Sequence, residues 1–225
     1  MERTTIGFVI FPNLTQLDFT GPLQVLSRLP GARVSIAAKT MDPVPSDCSL
    51  DLMPTTTFED APQFDILCAP GGFGVAEAMG DAETIAFIQR QAPGCKYVTS
   101  VCTGAFLLGA AGLLQGKNAT THWGYTDLLP MVGARYQKGR QVRDGNVITA
   151  GGVTSGIDFG LSMVAEMAGE DAAKAIQLAI EYDPAPPFES GPPDKADAAA
   201  MAVVAPRYER SVAVYKKALD AVSRA

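Results

Sequence analysis

Short apolar runs alternate with amphipathic stretches along most of the chain. Residues 5–11 read T-I-G-F-V-I-F, an almost unbroken run that fits a strand covered on both faces. Pro12 and Asn13 end it. Thr20-Gly21-Pro22 reads as a helix start, because proline suits a first turn, and this helix is predicted to reach Leu29. A second strand is predicted over 33–38. Residues 42–57 alternate and contain Pro43, Pro45 and Pro54, the pattern of short edge strands or a hairpin. Residues 64–69, F-D-I-L-C-A, form another predicted buried strand, closed by Pro70-Gly71-Gly72. Asp81 is placed to cap a helix reaching Gln91. Residues 96–101 predict a strand and 103–114 an apolar helix. A short strand at 118–121, a short helix at 125–130 and a hairpin over 141–148 follow, the last carrying Asp144-Gly145 for its tight turn. Helices are predicted over 154–167 and 171–182.

Strand alternating with helix argues for an α/β fold, a mainly parallel sheet with helices on both faces. No internal repeat is visible, and residues 1–225 are read as a single domain with its core at about 4–182. Prolines 184, 186, 187, 192 and 193 mark residues 183–193 as an irregular connection. An alanine-rich helical tail is expected over 194–225, broken near Pro206 and wrapped on the core or on a partner subunit.

Composition narrows the partners. The 225 residues are 47% hydrophobic, enough for a substantial core. A net charge of −6 with no basic stretch argues against nucleic acid. The start, Met1-Glu2-Arg3-Thr4-Thr5, lacks the basic and apolar regions of a signal peptide. The longest apolar run, 105–114, is too short for a bilayer. The expected setting is soluble and cytoplasmic, with no membrane partner. Cys48, Cys68, Cys95 and Cys102 include no C-x-x-C pair, and His122 is the single histidine, so no metal site is expected. In a reducing compartment these are free thiols. Neither G-x-G-x-x-G nor G-x-x-x-x-G-K occurs, so no nucleotide cofactor is expected.

Ligands of an open parallel sheet bind at the carboxyl ends of its strands. Four loops predicted there carry Asp18, Gly71-Gly72, Cys102-Thr103-Gly104 and Gly151-Gly152-Val153. The strongest signal is Ser100-Val101-Cys102-Thr103-Gly104, between an apolar strand and an apolar helix. It has the small-x-nucleophile-x-Gly pattern of a nucleophile elbow, with sulfur in place of oxygen. The turn is expected to expose the sulfur at a helix N-terminus, where the dipole lowers the thiol's pKa. Cys102 is therefore expected to be the fastest-alkylated thiol. The plain alternative for any cysteine is buried packing, the reading given to Cys68 inside its apolar run. Cys48 and Cys95, in turn-rich segments, are read as incidental. Asp18, flanked by Leu17 and Phe19, is either a general acid/base or an N-cap for the helix from Phe19 onward. Gly71 and Gly72 offer backbone N–H groups to developing negative charge, or supply a turn with positive φ. His122, in T-T-H-W, is either half of a Cys–His pair or a structural ring beside Trp123.

Together these residues resemble the superfamily that holds the PfpI proteases and the Parkinson's-associated DJ protein. The resemblance covers roughly residues 4–182. It rests on the first strand with Asp18, A-P-G-G at 69–72, the Cys102 elbow and T-A-G-G-V-T-S-G-I-D at 149–158. It implies a flavodoxin-like three-layer sandwich and a homodimer. Within the superfamily the chain is most similar to the isocyanide hydratases, which add water to a small-molecule isocyanide and give an N-substituted formamide. That likeness implies Cys102 as nucleophile, Asp18 as acid/base, Thr103 beside them, and a loop at 151–153 whose backbone lies against the nucleophile. It implies no cofactor. Candidate substrate contacts are Gly71, Gly72, Gly151 and Val153. Protease-like members place histidine directly after the cysteine. Thr103 stands there instead, which argues against a protease triad. Transcription regulators with AraC-type tails carry a similar domain with T-H-W, seen here at 121–123. The chain stops before a helix-turn-helix tail and is read as a stand-alone protein. Alternative readings are a glyoxalase or amidase of the same fold, and a redox- or ligand-sensing domain that oxidises Cys102.

Overall fold

The near-continuous apolar runs become the inner strands of a seven-stranded sheet in a computed structural model that describes residues 3–223. Met1, Glu2, Arg224 and Ala225 lie outside the described residues, and with them part of the leader reading and the end of the tail. In chain order the elements are β1 (Thr4–Val9), α1 (Gln16–Leu26), β2 (Ala32–Ala38), β3 (Val44–Pro45), β4 (Asp51–Leu52), β5 (Thr56–Thr57) and β6 (Ile66–Ala69). Then come α2 (Val75–Ala78), α3 (Ala82–Gln91), β7 (Tyr97–Val101), α4 (Ala105–Ala110), β8 (Asn118–Ala119), β9 (Arg135–Tyr136), β10 (Gln141–Asp144) and β11 (Val147–Ala150). Helices α5 (Ser155–Ala168), α6 (Glu170–Ala179) and α7 (Ala198–Val222) complete the chain.

The sheet order is β10-β11-β7-β6-β1-β2-β5. Every neighbouring pair is parallel except the β10–β11 hairpin. Strands β6 and β11 are buried at every position, and β1 and β7 at all but one, as strands covered on both faces must be. Chain order reverses at β1, with β2 on one side and β6, β7 and β11 on the other. Right-handed crossovers then put α1 on one face and α3 and α4 on the other. Helix α5 packs on α1. Gly156 and Gly160 allow this approach, because an added Cβ would sit 2.8 Å from Pro22 Cδ and 2.9 Å from Val25 Cβ. The result is the flavodoxin-like α/β sandwich that the alternation and the resemblance implied.

Two helices depart from the sequence pattern for tertiary reasons. Helix α1 begins at Gln16, not Thr20, and holds Pro22 inside it. Thr15 makes no side-chain cap; Asp47, after β3, accepts the Gln16 N–H at 3.2 Å and the Thr15 hydroxyl at 2.8 Å. A cap delivered from a distant loop leaves no local signature. Helix α7 runs unbroken through Pro206, and Asp197 caps it by accepting the Ala200 N–H. Its inner face buries Tyr215 and Leu219 as it packs on α2 and on the 3₁₀ segment Trp123–Val132 of the same chain. That packing outweighs the one helical hydrogen bond proline removes. The helix expected over 103–114 resolves into a 3₁₀ turn, Cys102–Gly104, followed by the short α4. Among the described residues no helix is long and apolar enough to cross a membrane.

Candidate active site

The chain must turn sharply between β7 and α4, and that turn presents the sulfur. Val101 is extended, Cys102 has φ +56°, and the 3₁₀ turn leads into α4. Positive φ is strained for a residue with a Cβ. Two hydrogen bonds hold it: the Cys102 N–H donates to the Gly151 carbonyl at 2.8 Å, and the Thr121 hydroxyl donates to the Cys102 carbonyl at 2.8 Å. Gly104 lets the turn lie against the end of β6, where an added Cβ would meet the Ala69 carbonyl oxygen at 2.1 Å. The loop at 151–153 thus braces the elbow through Gly151. Val153 is half-buried at the entry to α5.

Asp18 lies in the first turn of α1 and is fully buried. It is not the N-cap, a position held by Thr15. Its Oδ2 accepts the Gly71 N–H at 3.0 Å, and its Oδ1 is buried with no hydrogen-bond partner. Burial pushes the Asp18 carboxyl up to about 7, against the opposing pull of the Cys102 thiol and the Gly71 N–H. Burial, and then the Asp18 charge, hold the Cys102 thiol well above its ordinary range. This reverses the expectation of a thiol lowered by a helix N-terminus, because desolvation outweighs a short turn's backbone. Two facing buried acids strongly disfavour double ionisation. The pair therefore loses one proton near neutral pH and keeps the second well above it. Cys68 is fully buried and pushed up to about 12 by burial, the inert core thiol expected. Cys95 is also buried, and pushed up to about 11. Cys48 is exposed while Cys102 is buried, which removes the basis for expecting Cys102 to be alkylated first.

Gly71 and Gly72 serve the site differently from the free donors expected. Their N–H groups are already engaged: Gly71 donates to Asp18, and Gly72 donates to Thr103 Oγ1 at 3.0 Å. They position the side chains of Asp18 and Thr103. Gly71 is required by space, since an added Cβ would sit 2.5 Å from Thr103 N and 2.8 Å from Asp18 Oδ2. Gly72 is required by conformation, with φ +132°.

The residue that sequence reasoning missed is Tyr215. Its hydroxyl reaches from α7 to the Gly72 carbonyl at 2.6 Å and to Thr103 Oγ1 at 3.0 Å. The i, i+4 spacing of Tyr215 and Leu219 signals a buried face, but the sequence does not say where that face docks. Tyr125 packs on Tyr215 at 4.7 Å, and Phe106 at 5.6 Å. His122 belongs to the same aromatic wall. Its ring stacks on Tyr208 at 4.7 Å and its Nδ1 accepts the Gly124 N–H at 3.2 Å. Burial pushes its pKa down to about 4. No hydrogen bond joins it to Cys102 among the described residues, so it is the structural ring rather than half of a Cys–His pair.

The family model described as DJ-1/PfpI family matches residues 4–166. The chain is 56% identical over 196 residues to the isonitrile hydratase of Pseudomonas putida, covering 87% of this chain and 86% of that one. It is 30% identical over 173 residues to the Parkinson disease protein 7 homolog of Danio rerio, covering 73% and 90%. The crystal structure of a THiJ/PfpI family protein from Pseudomonas syringae matches with a TM-score of 0.92 at 44% identity, covering 99% of this chain and 91% of that one. Sheet order, the positive-φ cysteine elbow and these matches agree, and the chain belongs to the DJ-1/PfpI family.

Proposed function

We propose that this protein is an isocyanide hydratase, a hydro-lyase that converts R–N≡C and water into an N-substituted formamide through a covalent intermediate at Cys102. The observation that carries the reading is the buried Cys102–Asp18 pair, a nucleophile and a proton carrier sharing one site. The 56% identity to a protein with this activity supports it. Cys102 is 5% exposed and Asp18 is 0% exposed. A linear, unsubstituted isocyanide head suits so narrow an approach.

In the reactive form the pair holds one movable proton. Cys102 Sγ bonds to the terminal carbon while Asp18 delivers that proton to the same carbon, giving the thioimidate Cys–S–CH=N–R. Water adds to the thioimidate carbon. Asp18, now a carboxylate, relays one water proton to the nitrogen. It takes the second as the C–S bond breaks, so the formamide leaves and the pair is restored. Thr103 steadies the sulfur through its N–H and hydroxyl, both of which favour the thiolate. Tyr208, the half-buried member of the aromatic wall, offers the organic group an apolar surface, with Tyr125 and Tyr215 buried behind it. A Cys–His amidase lacks its base here, because burial leaves His122 weakly basic, at about 4, and its Nδ1 is already taken by the Gly124 N–H. Four free thiols support a cytoplasmic setting, and the family resemblance supports a homodimer.

Incubation with a simple aryl isocyanide in heavy-oxygen water tests the reading. The expected product is the aryl formamide carrying the heavy oxygen, read by mass spectrometry. Absence of formamide overturns it.

A further inference from the structure

We infer that the cleft beyond the carboxyl ends of β1 and β2 is a second binding site, separate from the Cys102 site, for a small primary amine with an apolar body. The cleft exists because the chain leaves the main sheet after β2. Strand β3 sits in a separate two-stranded sheet with β4, and Pro43 and Pro45 have no N–H with which to extend the large one. Residues 39–45 arch off the strand ends and leave a space of about 410 Å³ against α2 and the start of α3. That volume is in the range of small-molecule sites, which favour the carboxyl edge of an open sheet.

The walls are apolar. Ile10, Phe11, Ala38, Val44 and Ala78 are buried and line the cleft. The rim carries unpaired negative charge. Lys39 is the cation among the lining residues, and it is held by Asp81 at 2.8 Å and Glu83 at 3.4 Å. Asp42 and Glu77 also line the cleft, are exposed, and have no ion-pair partner among the described residues. The Asp42 carboxylate accepts the Thr40 hydroxyl at 2.9 Å. An apolar hollow rimmed by two such carboxylates complements an ammonium head on a hydrocarbon body and repels an anion. Asp18, Cys102 and Thr103 do not line this space. Pro12 and Gly74 do, and there the backbone is closed on itself: the Gly74 N–H donates to the Asn13 carbonyl at 3.1 Å, and an added Cβ on Gly74 would lie 1.9 Å from the Pro12 oxygen. The inference is therefore independent of the hydratase reading.

Methyl NMR of the full chain tests it. The signals of Ala38, Val44 and Ala78, in the cleft, and of Val101 and Val153, near the nucleophile, are followed during titration with hexylamine, hexanol or hexanoate. Hexylamine is expected to shift the cleft methyls saturably, with half-saturation at or below about 1 mM, the scale for a ligand of so few atoms. Hexanol should bind about 10-fold more weakly, the combined scale of two exposed ion pairs, and hexanoate more weakly still. In the Asp42→Asn/Glu77→Gln double variant hexylamine should fall to the level of hexanol, and hexanol should be unchanged. Ala78→Leu, which fills the cleft, should abolish binding of both, with thermal melts alongside. The charge variant alters exposed residues alone and decides the matter even where Ala78→Leu does not fold. No saturable shift with hexylamine overturns the inference. So does hexanoate binding as well as hexylamine, a double variant that binds hexylamine as wild type does, or shifts centred on Val101 and Val153.

Discussion

At the scale of single residues the site works by excluding water from two acids. Burial, with a smaller push from the Asp47 charge, carries the Asp18 carboxyl up to about 7. Burial, and then the Asp18 charge, keep the Cys102 thiol well above the usual thiol range. In the proposed mechanism the reactive form holds one proton between the two. With both groups protonated, below about 7, neither can attack or relay. The rate constant kcat/KM for an isocyanide should therefore rise as pH rises through about 7 and hold until the pair loses its second proton, well above the ordinary thiol range. A steady-state pH profile checks this, and a rate that falls as pH rises through 7 has the wrong sign for the pair. The placement of Cys102, Thr103 and Asp18 at one edge of the sheet was legible in the sequence because an elbow is a local pattern and a carboxylate between Leu17 and Phe19 is conspicuous. The direction of the thiol shift was not legible. A turn in sequence advertises its dipole, whereas desolvation comes from everything packed around it.

At the scale of elements the site is the meeting of three loops, and glycines set how closely they meet. Gly71 lies against both Thr103 and Asp18, since an added Cβ would lie 2.5 Å from Thr103 N and 2.8 Å from Asp18 Oδ2. Gly71→Ala should lower kcat/KM about 100-fold, the scale of a misplacement near 1 Å, and destabilise the fold by about 1–3 kcal/mol through overpacking. Gly80→Ala is the control, because its Cβ would meet only the Glu77 carbonyl, at 3.5 Å. Turnover with urea melts measures both, and a fully active Gly71→Ala enzyme would show that the approach is not needed. The strand pattern was readable because central strands are apolar throughout. The start of α1 was misread because its cap comes from Asp47, 31 positions away from Gln16, while Pro22 imitates a first turn. The expected Asp-Gly turn exists one step along: Gly145, φ +66°, and Asn146 form the loop between β10 and β11.

At the scale of the whole molecule, the reversal of strand order at β1 gathers Asp18, Gly71 and Cys102 at one edge of the sheet, and α7 closes over them. The fold class followed from the alternation of strand and helix. The docking of the tail did not, because an alanine-rich helix shows that it needs a surface without showing which one. Tyr215 and Leu219 find that surface on the chain's own core. Val203, 79% exposed, and Val214, 58% exposed, lie on the outer side of α7, interleaved with exposed Arg207 and Arg210. Sedimentation equilibrium at micromolar concentration should give twice the 23.6 kDa chain mass, and a single-chain species would contradict the dimer. The central claim, that the Cys102–Asp18 pair carries the hydration, is tested most directly by turnover of an aryl isocyanide by wild type, Cys102→Ala and Asp18→Asn, with thermal melts alongside. Asparagine still accepts the Gly71 N–H but carries no transferable proton. The account expects brisk formamide production by wild type, none by Cys102→Ala, and a loss of roughly two to four orders of magnitude in Asp18→Asn. Near-normal turnover by a folded Asp18→Asn protein would contradict it.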